Sequence, residues 1–438
     1  MRQIYTFLLY LLTPFILLRL LWRGFRSPAY WKRWKERFGY LPFQVAGPSI
    51  WIHAVSVGEA QAATPLVNAL RERYPHQAIV VTTTTPTGSE RVREAFGDSV
   101  LNAYICYDTP GMVRRFLDQL RPAIAIIMES EIWPNLFGQC ERRGIPLLIV
   151  NARLSPQSTM RYQRIPGLTR STLAHVTAVA AQSDIDAERY ASIGMEPSRI
   201  HQTGSIKFDV KLPVSLKEQA AVVRRNWGVN RSVWIAASTH EGEEDIILRA
   251  YDRVRKAQPN ALLVLVPRHP ERFNRVANQC RKQGYSVVLR SENRPCDDTT
   301  AVFIGDSMGE LVIFYAASDV AFVGGTLVLI GGHNILEPAA LGIPVLTGPY
   351  LHNFEEISQK LIAAGVCVQI NDEKQLADTV IRLLKDADLR FSMGEKGRAV
   401  VEENRGALES VLELIADHIG PSRRPAEKVR AAAAVNEK

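Results

Sequence analysis

The sequence predicts an α/β protein of two doubly wound, Rossmann-like domains facing across a cleft, preceded by an apolar helix. Three observations predict it. Short β-branched or apolar runs alternate with amphipathic stretches; the alternation pauses around Thr203 to Leu216 and then restarts; and a long apolar segment opens the chain. At 438 residues and 46% hydrophobic composition, the chain exceeds one ordinary core and suits two α/β domains.

In the first half the strand-like runs are Ser49 to Ser56, Ala78 to Thr85, Ala123 to Met128, Pro146 to Val150 and Val176 to Ala181. In the second they are Val233 to Ala237, Ala261 to Pro267, Ser286 to Leu289, Ala301 to Ile304, Val320 to Val323 and Pro344 to Thr347. Runs apolar on both faces and separated by helices imply parallel sheets, with ligands at the carboxyl ends of the strands. Gly204 and Pro213 mark the hinge. The expected organisation is a membrane anchor over 1–26, an N-terminal domain over 27–207, a C-terminal domain over 208–420 and a basic tail over 421–438. No internal repeat is visible by residue identity.

The net charge of +8 is concentrated at the ends of the chain. Arg19 to Arg37 contributes +6, the tail +3 and Arg2 one more, leaving −2 for the body. A near-neutral body excludes an extensive nucleic-acid surface, and a cationic cluster beside an apolar segment is directed at a membrane. Five cysteines without a C-x-x-C pair suggest neither a disulfide framework nor a zinc site.

Ile4 to Trp22 would form a helix about 28 Å long, enough for a hydrocarbon core. No A-x-A-like cleavage site follows, and the segment runs directly into Arg23, Arg26 and Tyr30-Trp31, so it is expected to be retained as an anchor. Pro14 and Arg19 leave open whether it spans or lies in the interface. If it spans, the cationic flank puts the body in the cytoplasm.

Several segments have the make-up of a site. In SIWIHAVSVGEAQ a strand turns through Gly58 into a helix with Glu59 in its first turn. That acid fits either a helix-start carboxylate or a general base. In AIAIIMESEIWPNL, Glu129 and Glu131 follow a strand and suit acceptor orientation, a glycosidase-like pair or metal binding; Trp133 and Pro134 pack the turn. ALLVLVP runs into Arg268 and His269, where Arg268 suits either a phosphate or a structural ion pair. FVGGTLVLIGGHNILEPAALGIPV opens a strand into a glycine-laden loop, with a helix expected from near His333 that puts Asn334 and Glu337 on one face. The glycines are not G-x-G-x-x-G, so an NAD site is not supported. Asp184-Ile185-Asp186 imitates the D-x-D of metal-dependent sugar transferases, but Ser183 before it suits a helix cap. Lys207, in TGSIKFD, reads by default as a solvated lysine.

Seven segments in order, HAVSVGE, ESEIWPN, NARLS, IKFD, VPRHPERF, GDSMGEL and GGHNILEPAALGIPV, resemble the 3-deoxy-D-manno-octulosonate (Kdo) transferases of lipopolysaccharide assembly, from the anchor to about Gly397. Thr326, Leu329 and Ile335 depart from the family pattern, where serine or proline is often expected. The resemblance implies the GT-B glycosyltransferase architecture and inverting, metal-independent transfer of Kdo from CMP-Kdo to the lipid A precursor lipid IVA. It further implies an inner-membrane enzyme with its catalytic domains on the cytoplasmic side. By the same resemblance Glu59 is the catalytic base, and Glu129 and Lys207 match positions that stabilise the transition state. Pro267, Arg268, Met308, Gly309, Glu310, Asn334, Ile335, Leu336 and Glu337 match the segments that hold CMP. No cofactor, metal or nucleic acid is expected; the partners are donor, acceptor and membrane lipid. Because fold alone does not fix chemistry, a UDP-sugar epimerase or other nucleotide-sugar enzyme is the alternative, and a tethered nucleotide sensor the non-enzymatic one.

Overall fold

The computed structural model describes residues 1–419, so the basic tail expected over 421–438 lies outside the described residues. The chain forms two compact units: Met1–Ile206 rejoined by the chain from Gly406, and Lys207–Arg405.

Among the described residues the first unit has a parallel sheet of β1 (Ser49–His53), β2 (Ala78–Thr83), β3 (Leu101–Tyr104), β4 (Pro122–Met128), β5 (Leu147–Ala152), β6 (Ala178–Ala181) and β7 (Ile200–Gln202), in the order β3-β2-β1-β4-β5-β6-β7. The second has β8 (Val233–Thr239), β9 (Leu262–Pro267), β10 (Val287–Leu289), β11 (Val302–Ile304), β12 (Val320–Val323), β13 (Val345–Thr347) and β14 (Cys367–Gln369), in the order β10-β11-β9-β8-β12-β13-β14. All neighbours are parallel, which gives the two Rossmann-like units of the GT-B architecture.

The central strands are buried because both faces are covered. Ile50 and Ile52 of β1 join one core cluster while Trp51 between them joins the opposite one, following the two-residue period of a strand. Trp234 and Ala236 of β8 separate from Val233, Ile235 and Ala237 in the same manner. Three strands were not anticipated from sequence, β3, β7 and β14. Each lies at a sheet edge, and LNAY, IHQ and CVQ are short and mixed because an edge needs no apolar residue on every position.

The sheet order reverses direction between β1 and β4 in the first unit and between β8 and β12 in the second. Connections leave such a pair in opposite directions, opening a crevice at the strands' carboxyl ends.

The domain expected over 208–420 is corrected at its end. The helix Ala407–His418 belongs to the first unit, where Ala407, Leu408, Val411, Leu412 and Ile415 complete the core face that holds Leu66, Val67 and Leu70. Its apolar stripe states only that one face is buried; which unit buries it is a matter of packing. Ile415→Ala is therefore expected to destabilise the first unit by about 2–5 kcal/mol. Hydrogen exchange should quicken in the helix Val57–Arg73 while the strands of the second unit keep their protection.

Candidate functional site

At the end of β1 the Ala54 N–H still pairs with the Thr82 carbonyl, but the Val55 N–H is taken by the Glu59 carboxylate at 2.7 Å. Glu59 lies in the first turn of the helix Val57–Arg73, capped by Ser56, whose Oγ accepts the Glu59 N–H at 3.3 Å and donates to its Oε1 at 3.2 Å. This reciprocal cap holds the carboxylate at the edge of the switch point. Burial pushes its carboxyl up to about 8; the like charge of Glu129 adds to this, the Val55 N–H opposes it, and Glu131 contributes less.

Glu129 follows β4, the strand paired with β1, with His53 opposite Ile127. Its backbone is left-handed (φ 59°), a conformation that non-glycine residues seldom adopt outside constrained sites. The Val150 carbonyl receives its N–H at 3.0 Å, and its own carbonyl accepts the Tyr190 hydroxyl at 3.0 Å. Glu131 accepts the Trp133 indole N–H at 2.8 Å, and burial pushes its carboxyl up. Trp133 packs against the core, edge-on to His53, as expected of a turn-packing residue. In D-x-D, Ser183 caps the helix Asp184–Ser192, and Asp186 is buried, accepting the Leu154 N–H at 2.9 Å. The cap reading holds there.

Asn151, also left-handed (φ 50°), accepts the Ile206 N–H at 3.2 Å and the Ser205 hydroxyl at 3.3 Å. It fastens the end of the first unit immediately before Lys207. Lys207 opens the second unit within the turn Ile206–Phe208, its Nζ 5.6 Å from the ring centroid of Phe354.

In the second unit the corresponding position is filled by Glu243, fully buried in the first turn of the helix Glu243–Ala257 after β8. Its carboxylate accepts four backbone N–H groups: His240 at 2.9 Å, Gly325 at 2.7 Å, Thr326 at 3.0 Å and Leu327 at 2.9 Å. The glycine loop after β12 is thus tied to the end of β8 across the switch point. A Cβ on Gly324 would meet the Ser238 carbonyl at 2.6 Å, so only glycine lets the two segments approach. Ser238 is itself left-handed (φ 56°).

Arg268 and His333 are joined to the end of β8 beside this staple, and the other residues expected to hold a nucleotide belong to the same unit. Pro267 ends β9, and the Arg268 N–H bonds the Thr239 carbonyl at 3.0 Å. His240 and His333 are stacked with their Nε2 atoms 2.7 Å apart, and His269 meets His240 edge-on. Burial lowers His333 to about 3 and His240 to about 4, with Arg268 among the further causes, so one neutral ring donates to the other near neutral pH. Asn334 donates to Glu337 at 3.0 Å and accepts the Leu336 N–H at 3.0 Å. Burial raises the Glu337 carboxyl, and the Asn334 amide opposes the shift. Ile335 and Leu336 are buried in the core. The helix expected from near His333 begins instead at Leu336 and is five residues long, because Asn334 turns the chain with its own side chain before it. Met308 is exposed, Gly309 is left-handed (φ 83°), and Glu310 immediately precedes the helix Leu311–Ala316, its carboxylate paired with Arg290 at 3.0 Å rather than capping the helix.

Glu243 was not singled out from sequence. A signal exists: a Gly-Glu pair follows the first strand of each unit, Gly58-Glu59 and Gly242-Glu243. Chemically, the first unit presents a carboxyl that releases its proton reluctantly, while the second gathers Arg268, histidines and a fixed glycine loop.

Both units have counterparts among known proteins. The family profile described as 3-Deoxy-D-manno-octulosonic-acid transferase (kdotransferase) matches residues 32–210, and that of Glycosyl transferases group 1 matches residues 230–400. The chain is 42% identical to the 3-deoxy-D-manno-octulosonic acid transferase of Haemophilus influenzae, covering 95% of this chain and 99% of the relative. It is 36% identical to that of Bordetella pertussis, covering 96% and 100%. A crystal structure of UDP-GlcNAc 2-epimerase from Neisseria meningitidis bound to UDP-GlcNAc shares the fold, with a TM-score of 0.53 at 13% identity, covering 84% of this chain and 100% of that one.

Glu243→Ala leaves three loop N–H groups and that of His240 without their acceptor. Each orphaned buried group costs about 1–3 kcal/mol. Amide exchange at Gly325, Thr326 and Leu327 should accelerate by about 100-fold, the equivalent of roughly 2.7 kcal/mol, as read by hydrogen-exchange mass spectrometry.

Proposed function

The chain belongs to the 3-deoxy-D-manno-octulosonic acid transferase family, and from that premise we propose how its own residues carry the reaction. It is a CMP-Kdo-dependent glycosyltransferase of lipopolysaccharide synthesis. The epimerase reading is not favoured, since the likeness to epimerases extends to the fold alone.

The observation that carries the mechanism is the Glu59 carboxyl pushed up to about 8 at the carboxyl end of β1. Glu59 takes the proton from a sugar hydroxyl of the lipid A precursor lipid IVA. The freed oxygen attacks the anomeric carbon of Kdo from the face opposite the phosphate, so configuration inverts. The bond to the phosphate oxygen breaks, and CMP leaves with the electron pair. A base with a pKa near 8 has strong driving force to accept that proton while about a tenth of it is ionised at pH 7.

Glu129 and Lys207 stabilise the charge that develops in the transition state. Arg268, after Pro267, offsets charge on the departing phosphate, as guanidinium groups suit phosphate. Asn334, Ile335, Leu336 and Glu337, with Met308, Gly309 and Glu310, hold the nucleotide, the Glu337 carboxylate accepting from ribose hydroxyls. In this reading the cationic side chains supply the charge compensation and no metal is required. The acceptor is a lipid, and the exposed apolar helix Arg2–Arg26 with its cationic flank supports action at the cytoplasmic face of the inner membrane.

Glu59→Gln should lower kcat/KM for transfer from CMP-Kdo to lipid IVA by about 10²–10⁴-fold while CMP affinity is retained. In the wild type, kcat/KM should rise with pH to an apparent pKa of about 8, because only ionised Glu59 accepts a proton. Glu131→Gln removes a like charge and should move that limb to lower pH; a limb that stays in place would remove the electrostatic account. Activity should persist in excess chelator, and its loss, restored by a divalent cation, would overturn the metal-free reading.

A further inference from the structure

The N-terminal helix leaves the first unit and returns to it at adjacent residues. At its start, the Tyr5 hydroxyl donates to Asp108 at 3.0 Å and the Thr6 hydroxyl donates to Asn135 at 3.0 Å. Asp108 is buried and also accepts the N–H groups of Asn135 and Leu136, so it is a built part of the unit. Arg2 lies over Gly138, where a Cβ would meet its guanidinium, and Met1 lies against Gly167. Beyond the helix, Arg33 donates to the Ser89 hydroxyl at 2.6 Å and the Asn102 carbonyl at 2.9 Å. Glu36 accepts the Tyr104 N–H at 2.8 Å, and the Arg37 carbonyl accepts that of Tyr107 at 2.9 Å. Tyr107 and Asp108 therefore hold the two ends of one excursion.

A membrane-spanning segment must end on opposite sides of about 30 Å of hydrocarbon. Here the start of the helix is fastened to the first unit. After Arg26 only seven residues lead to Arg33, which is fastened to the same unit; fully extended they reach about 25 Å. They are not extended, since Pro28–Trp31 forms a 3-10 turn and the Trp31 indole donates back to the Leu21 carbonyl at 3.1 Å. The far end of the helix thus stays on the side of the protein body.

The surface of the helix states what covers it. Phe7, Leu11, Phe15, Leu18, Trp22 and Phe25 form one stripe at helical spacing, with Phe7 68%, Phe15 65% and Phe25 75% exposed. Arg19, Arg23, Lys32 and Lys35 are exposed around its carboxyl end, where anionic headgroups would be met.

We infer that the helix Arg2–Arg26 is a monotopic anchor, lying in the bilayer interface with both ends on the cytoplasmic side, its Phe7–Phe25 stripe facing acyl chains and its cations facing anionic headgroups. This rests on the membrane reading above and adds the topology. Amphipathic segments that lie in the interface plane bind by buried apolar area and attraction to anionic lipid.

The test uses the full chain in a Cys296→Ser background, which leaves four buried native cysteines, and a membrane-impermeant maleimide. Gln3→Cys reports the helix start and Glu90→Cys, on the exposed surface of the first unit, reports the body. Recovery in the soluble fraction of lysed cells would overturn the membrane reading itself. With the protein in the membrane pellet, Gln3→Cys should behave as Glu90→Cys does: unlabelled in intact spheroplasts and labelled in inverted vesicles. Labelling of Gln3→Cys in intact spheroplasts while Glu90→Cys stays protected would establish a spanning helix and overturn the inference. Should Gln3→Cys fail to accumulate, a cysteine added before Met1 gives the same readout.

Discussion

A parallel strand that stops at a topological switch point leaves backbone N–H groups with no neighbouring strand to receive them, and burying them unpaired is costly. Both units meet this constraint in one way: an acid in the first turn of the following helix reaches back and accepts them. Glu59 takes the Val55 N–H after β1. Glu243 takes that of His240 after β8 and three more from the glycine loop after β12. The link from strand end to helix start at both switch points, and the loop course at the second, follow from these contacts.

The same placement yields different chemistry because the number of donors and access to solvent differ. Four N–H groups saturate the fully buried Glu243, whose four acceptor positions are spent on the backbone. Glu59 receives fewer hydrogen bonds, sits nearer the surface, and has Glu129 and Glu131 as like-charged neighbours. Its carboxyl is pushed up and retains capacity to accept a proton from elsewhere. One acid therefore organises a loop, while the other keeps a carboxyl that can still take up a proton. The left-handed Glu129 follows β4, the strand beside β1, and the left-handed Ser238 stands near the end of β8 itself, which fits constrained backbone at sites where segments converge.

Much of this was legible beforehand. The central strands read as continuous apolar runs because helices cover both their faces, and Ser183 identified Asp184 and Asp186 as a helix start by local chemistry alone. What escaped notice depends on contacts distant in sequence. β3, β7 and β14 are strands because an edge position was open to them, and the helix Ala407–His418 crosses back to the first unit because its apolar face fits there. Asn334 delays the expected helix to Leu336 through a side-chain turn that the glycine pattern concealed. Glu243 had a visible signal in the Gly-Glu pair shared with Glu59, but similarity over two residues falls below what an identity search notices.

The sequence by itself determined the alternation of strands and helices, the division into two parallel-sheet units, the charge collected around an apolar helix, and the ordered segments that resemble one transferase family. These are properties of neighbouring residues: periodicity, capping and composition act within a few positions of the chain. Only the tertiary structure decided that Glu59 and Glu129, seventy residues apart, bear on each other's charge, which the pairing of His53 with Ile127 brings about. It likewise decided that Tyr5 and Arg37 end one excursion at Asp108 and Tyr107. Coulomb forces and hydrogen bonds depend on distance in space, and that distance is set by sheet register and packing rather than by position along the chain.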